Sequence, residues 1–285
     1  MAATSGTPRG RALAAALRNA RLSKEIGLRD LARKVGISHT LISQWENGHR
    51  LPKTEDVATV LTGLGVDADE REHIIELARN AGESDWLTSG IPGMSQQMAG
   101  MLECERSASD IIDWSPLLVP GLLQTSDYAR AILGAGDAPR EQVEPQVVFR
   151  SGRRDILNRN PPTRLHALIG ESALCLRVGG PAVLAGQLRY LLTAIEAWDN
   201  ITVQVVANDV EWHPGAAGPF VLYEFEESPP IILLEHHRSS AFLHNQNDLA
   251  EYQAAADTLR KEVAMSPDAS VELIAHVVDE LETTL

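Results

Sequence analysis

Thirteen residues, Gly36 to Gly48, constrain this chain more than any other stretch. They read Gly-Ile-Ser-His-Thr-Leu-Ile-Ser-Gln-Trp-Glu-Asn-Gly. Gly36 offers the left-handed residue on which a preceding helix can end. Ser38 is a good N-cap and Gly48 a good stop, so the spacing predicts one short helix over 38–47. Leu41, Ile42 and Trp45 supply its apolar back, while His39, Thr40, Ser43 and Gln44 point elsewhere. An apolar back with small hydrogen-bonding groups in front suits a DNA major groove.

The residues around this stretch complete a helical unit. A helix is expected from Pro8 to Ile26, with Leu13, Leu17 and Ala20 on one side and Arg9, Arg11, Arg18 and Arg21 around it. Arg9 and Arg11 are open to two readings, a minor-groove arm or part of a solvated tail. Leu28, Leu31, Ala32 and Val35 make one packing face of a second helix. Val57, Val60, Leu61 and Leu64 do the same for a fourth over Thr54–Leu64, and Asp67 with Glu70 forms a capping-box-like start to a fifth. The unit is predicted to run from residue 8 to 82 as an all-α, five-helix domain.

Charge divides the chain along the same line. Residues 1–53 hold ten Lys+Arg against three Asp+Glu, a net +7, and residues 54–285 hold 15 against 36, a net −21. A basic segment joined to an acidic remainder suggests a nucleic-acid module fused to something else, which the overall charge of −14 conceals.

The first unit resembles the helix-turn-helix family of lambdoid repressors and Xre-like regulators. The resemblance rests on Leu31-Ala32, Val35-Gly36-Ile37-Ser38, Ile42-Ser43, Trp45-Glu46-Asn47-Gly48 and Pro52. It implies that His39, Thr40, Ser43 and Gln44 contact base edges, and that Ser38, Asn47, His49, Arg50, Lys53 and Arg29 contact phosphates. Glu46 would be repelled by DNA and is read as structural, pairing within the domain or capping. Leu28 departs from the family pattern: many relatives place a phosphate-clamping glutamine there. Either Arg29 or Lys24 is the substitute, or the contact is missing.

Beyond a linker at 83–102, centred on the Gly-, Ser- and Pro-rich Glu83–Met94, an α+β regulatory domain is expected over 103–285. Strands are predicted at Leu165–Ile169, Ile201–Val206, Phe220–Phe225 and Ile231–Glu235, with Asp110–Val119 extended. Helices are predicted at Gln97–Ser107, in the second half of 117–130, at Glu141–Leu157 and Pro181–Trp198, and in two final segments. Val119-Pro120-Gly121-Leu122-Leu123-Gln124-Thr125, Tyr128-Ala129-Arg130, the arginines near Arg153, Gly170-Glu171-Ser172-Ala173-Leu174, Gln187-Leu188 and Gly218-Pro219-Phe220 make this half resemble a domain found behind Xre-like modules in many actinobacterial regulators. That resemblance implies an antitoxin-like protein encoded beside a small partner.

No catalytic motif appears: there is no P-loop, no dinucleotide fingerprint and no nucleophile elbow. His213, His236, His237 and His244 lack the carboxylates or cysteines at ligand spacing that a metal site needs. Cys104 and Cys175 make no disulfide framework. No apolar run approaches the roughly 18 residues of a membrane span. The sequence therefore predicts a cytoplasmic, non-enzymatic regulator with no metal and no cofactor. It would bind double-stranded DNA as a homodimer, under the control of a small-molecule effector or a small acidic or basic partner protein. The alternative is an antitoxin-like protein that sequesters its partner and autoregulates its operon. The second domain, with its heptad-like last helix, is the expected two-fold contact.

Overall fold

A computed structural model describes residues 8–80, 86–89, 94–135, 140–226, 228–236 and 239–283. In chain order the first elements are helices α1 (Pro8–Ser23), α2 (Leu28–Val35), α3 (His39–Glu46), α4 (Thr54–Leu64) and α5 (Ala68–Asn80). Strand β1 (Trp86–Ser89), helix α6 (Met94–Ser107) and strand β2 (Asp110–Ser115) follow. Then come α7 (Ser126–Leu133), α8 (Arg140–Gly152), β3 (Arg164–Gly170), α9 (Glu171–Cys175), α10 (Pro181–Ala197) and β4 (Ile201–Val206). The chain closes with β5 (Phe220–Glu224), β6 (Ile231–Glu235), β7 (Ser239–Leu243), α11 (Gln246–Thr258) and α12 (Pro267–Thr283). The expected fold class holds: a five-helix N-terminal domain precedes an α+β domain with a mixed sheet. Most of the expected linker Glu83–Met94 lies outside the described residues. No described helix is long and apolar enough to cross a membrane.

The chain divides into two compact units, and the division is not a single cut. The first unit comprises residues 1–107 and 225–249; the second comprises 108–224 and 250–285. In the first, α1 packs on α3, α4, α5 and α6. Leu13, Leu17 and Ala20 of α1 meet Leu31, Ile42, Trp45, Val57, Leu61 and Ile74, all buried. Each fully buried leucine or isoleucine contributes about 1.5–3 kcal/mol relative to exposure. The same unit holds an antiparallel ribbon in which β7 pairs with both β1 and β6. Ser-Ser-Ala-Phe-Leu of β7 lacks alternation, which is why the sequence does not announce it.

In the second unit β2, β3 and β4 run parallel in that order, and β5 pairs antiparallel with β2. The central strand β3 is apolar on both faces, with Leu165, Ala167, Leu168 and Ile169 all buried, as a covered parallel strand requires. The connection from β2 to α7 carries the Val119–Thr125 segment, and its backbone is satisfied by buried side chains. Gln187 of α10 accepts from the Thr125 N–H at 2.7 Å and donates to the Leu123 carbonyl at 2.8 Å. Gln124 donates to the Val119 carbonyl at 2.7 Å, and Arg150 donates to the Gln124 side-chain oxygen at 2.8 Å. The arginines near Arg153 thus hold a loop in place. Cys104 is buried, and burial pushes its thiol up to about 12.

Ser270, Ile274, Val278 and Leu281 form the buried side of the last helix, α12, which packs on α10 and β4. Its buried apolar side is therefore occupied within its own unit. Ser270 also accepts from the Val205 N–H at 2.9 Å, tying the helix to β4.

Two tests of this packing follow from single residues. A Cβ on Gly170 would lie 2.3 Å from the Pro116 carbonyl oxygen, where backbone meets backbone. Gly170→Ala is expected to destabilise the protein by about 1–3 kcal/mol, measured by chemical denaturation. His166 sits beside Gln204, whose amide nitrogen donates to the carbonyls of Arg260 (3.2 Å) and Met265 (2.7 Å). The Gln204 oxygen therefore faces His166 Nε2 at 2.6 Å, and that nitrogen carries the proton. Burial lowers the His166 pKa, and the Arg260 charge lowers it further against the opposing Gln204 hydrogen bond. The unfolded chain then takes up the proton first. Stability should be full above the ordinary histidine value of 6.5 and decline as pH falls below it. In His166→Gln the thermal midpoint should lose less over the same acid step, and an unchanged pH slope would refute the assignment.

Candidate nucleic-acid interface

The turn between α2 and α3 is built as the sequence requires. Gly36 adopts φ 72° and ψ 19°, and its N–H donates to the Ala32 carbonyl at 3.0 Å, closing α2. Two residues later Ser38 caps α3, its Oγ accepting from the Leu41 N–H at 3.2 Å. At the far end the N–H groups of His49 and Arg50 donate back to the Gln44 carbonyl at 2.9 and 3.3 Å. Both ends of α3 are thus fixed by backbone and capping bonds rather than left to fray.

The helix divides cleanly by face. Ile42, Trp45 and Glu46 are buried, whereas His39, Thr40 and Gln44 are exposed and Ser43 is half-buried. Residues 39, 40, 43, 44 and 47 lie on one stripe at helical spacing. Along it Asn47 donates from Nδ2 to Ser43 Oγ at 3.3 Å. Ser38, Asn47, His49, Arg50, Lys53 and Arg29 are all exposed. Ser38 and Asn47 combine that exposure with a structural bond of their own.

Glu46 shows what sets the tilt of this face. Its carboxylate takes a three-bond clamp from Arg21 of α1: Nε to Oε1 at 2.8 Å, Nε to Oε2 at 3.1 Å and Nη2 to Oε2 at 2.8 Å. The remaining Nη1 donates to the Ile26 carbonyl at 3.0 Å, in the turn leading to α2. The side chains are 11% and 4% exposed. Hydrogen bonding to Glu46 raises the Arg21 pKa above its ordinary value, so the guanidinium stays charged. One arginine thereby ties α1, the α1–α2 turn and the C-terminal end of α3 together. Nothing local in the sequence marks this partner, because the two residues are 25 apart and meet only through the crossing of α1 and α3.

One expectation, that for Arg11, is changed. Arg11 is neither a groove-seeking arm nor a tail residue. It lies in α1 and is 8% exposed, donating to Ser107 Oγ at 3.1 Å and to Ser228 Oγ at 2.6 Å. Its guanidinium carbon sits 3.6 Å over the centre of the Phe225 ring. Burial lowers its pKa. Leu28 packs, half-buried, against the core of the five-helix domain, and Arg29 and Lys24 beside it are exposed.

The chain matches two known families. Residues 12–74 match a family described as a helix-turn-helix domain. Residues 98–276 match a family described as a domain of unknown function, DUF5753. No curated protein sequence matches the chain.

The clamp generates a stability test. Glu46→Ala leaves the Arg21 charge buried and unpaired, and is expected to cost about 3–5 kcal/mol in denaturant unfolding. The paired change Arg21→Met with Glu46→Leu should recover most of that loss. Additive losses in the two single variants and their combination would show that the pair does not act as a unit.

Proposed function

Because this chain belongs to the DUF5753 family and carries a helix-turn-helix domain ahead of that region, we propose that it is a sequence-specific DNA-binding transcriptional regulator. In this reading α3 enters the major groove with His39, Thr40, Ser43 and Gln44 toward the base edges. The observation that carries it is the exposed polar stripe on α3, held rigid by Arg21 and Glu46 behind it and set in the basic first 53 residues.

Gln44 presents an amide that pairs bidentately with adenine, and the Thr40 methyl suits the methyl of thymine. His39 and Ser43 add donors within reach of neighbouring bases. Ser38, Asn47, His49, Arg50, Lys53 and Arg29 fix register on the phosphates without reading sequence. Arg29 and Lys24 take the place of the clamp that Leu28 cannot provide. We read the head as Xre-like and the protein as a homodimer. Two α3 helices would then occupy successive major grooves about 34 Å apart on a near-palindromic operator. An effector or a small partner protein shifts the regulator only by binding one arrangement of the two heads better than the other. The second unit is a binding rather than a catalytic unit in this reading, in which Gln124, Arg150 and Gln187 serve to hold the Val119–Thr125 loop.

DNA upstream of the protein's own coding region is the first probe, in a gel-shift competed with scrambled duplex. Gln44→Ala should cost about 1–3 kcal/mol at one operator position and relax preference there. Lys53→Ala should weaken all sequences alike and reduce the salt dependence by about one phosphate. Equal effects of both changes on specific and scrambled DNA would overturn the assignment of Gln44 to base readout.

A further inference from the structure

In the second unit the C-terminal ends of the three parallel strands come to one edge, and their exits touch. Gly170, closing β3, packs so tightly on the Pro116 backbone after β2 that no Cβ fits between them. Glu171 accepts from the Asn208 N–H at 2.8 Å, and Ser172 Oγ donates to Asn208 Oδ1 at 2.8 Å, joining the β3 exit to the β4 exit. The 207–213 loop is also held at its other end. Trp114 of β2 donates to the Gly215 carbonyl at 2.8 Å, and its ring meets that of His213 edge-on, 5.8 Å between centres.

A loop pinned at both ends presents its tip in a fixed place, and the tip is not polar. Trp212 is 83% exposed, Val210 36%, and Leu117 on the β2 exit 60%. Exposed large apolar residues scattered singly need no explanation. Here three of them leave the same edge of one sheet, and the largest is an indole carried on a braced loop. Asp209 and Glu211 alternate with Val210 and Trp212 and are exposed. Carboxylates next to the indole along the loop repel nucleic acid and anionic surfaces. The loop attracts cations, through the ring and through the acids together.

We propose that this edge is a docking surface for a basic protein segment, with Trp212 as the anchor and Asp209 and Glu211 receiving the partner's arginine or lysine side chains. Burying a rigid aromatic at the centre of a small contact is where binding energy concentrates. The assignment does not rest on the DNA-binding reading, because it uses no residue of the helix-turn-helix domain.

The test uses the full chain and two labelled short peptides, one alternating arginine with leucine and one alternating glutamate with leucine. Binding is followed by fluorescence anisotropy at about 0.1 M salt, where long-range attraction is screened. The arginine peptide should bind and the glutamate peptide should not. Trp212→Ala should weaken binding at least about tenfold, with Trp212→Phe intermediate. Asp209→Asn with Glu211→Gln should also weaken it, whereas Asp268→Asn with Glu272→Gln, equally acidic and exposed on α12, should leave it unchanged. Thermal midpoints matching the parent protein show that the variants are folded. The proposal is overturned if the arginine peptide fails to bind, if Trp212→Ala binds it as well as the parent, or if both acid pairs matter equally. DNA binding, measured in parallel, stays at the parent level in Trp212→Ala, so the two readings fail separately.

Discussion

The Arg21–Glu46 pair decides how α3 is presented. Ile42 and Trp45 give α3 an apolar back, but apolar contacts are non-directional and would tolerate rotation or sliding of a helix only eight residues long. Three short hydrogen bonds to a planar guanidinium do not tolerate it. The third nitrogen of that group reaches the Ile26 carbonyl, so the same arginine also fixes the turn that launches α2. The orientation of His39, Thr40, Ser43 and Gln44 is thus set from behind by a buried charge pair that never faces solvent.

This arrangement changes how the basic charge of the first 53 residues should be counted. Arg11 and Arg21 are buried, and Arg33 lies 3.5 Å from Asp30 on the surface of α2. The exposed cations that remain include Arg18, Lys24, Arg29, Lys34, Arg50 and Lys53. Charge counted along the sequence therefore overstates what is offered to a polyanion. The two interior arginines serve architecture, one for the tilt of α3 and one for the contact with Phe225 and Ser228.

Much of the first unit was legible in the sequence because its signals are local. The left-handed Gly36, the Ser38 cap, the Asp67 cap and the three- and four-residue spacing of apolar positions each act within a turn or two of chain. Glu46 was legible as structural, since a carboxylate on a DNA-facing helix needs a reason, but its partner was not. Arg11 was misplaced for the same cause: Ser228 lies 217 residues away, and nothing near Arg11 marks it as interior. In the second unit the alternating or apolar strands β3, β4, β5 and β6 were visible, whereas β1 and β7 were not. Ser239–Leu243 becomes a strand by pairing on both sides, which is a tertiary rather than a local property. The heptad-like apolar spacing of α12 was real, but α10 and β4 claimed it.

The contact between Arg11 and the Phe225–Ser228 segment also has a meaning in time. A ribosome completes the five N-terminal helices long before it makes residue 225, and local helical contacts assemble early. Arg11 therefore leaves synthesis as a cation on an otherwise finished helical head and meets its final partners only after β2 to β5 have been made. Arg11 gains these contacts only when residues 225 and 228 have been made, so a nascent protein that stops short of residue 228 has a head differing from the finished one at Arg11.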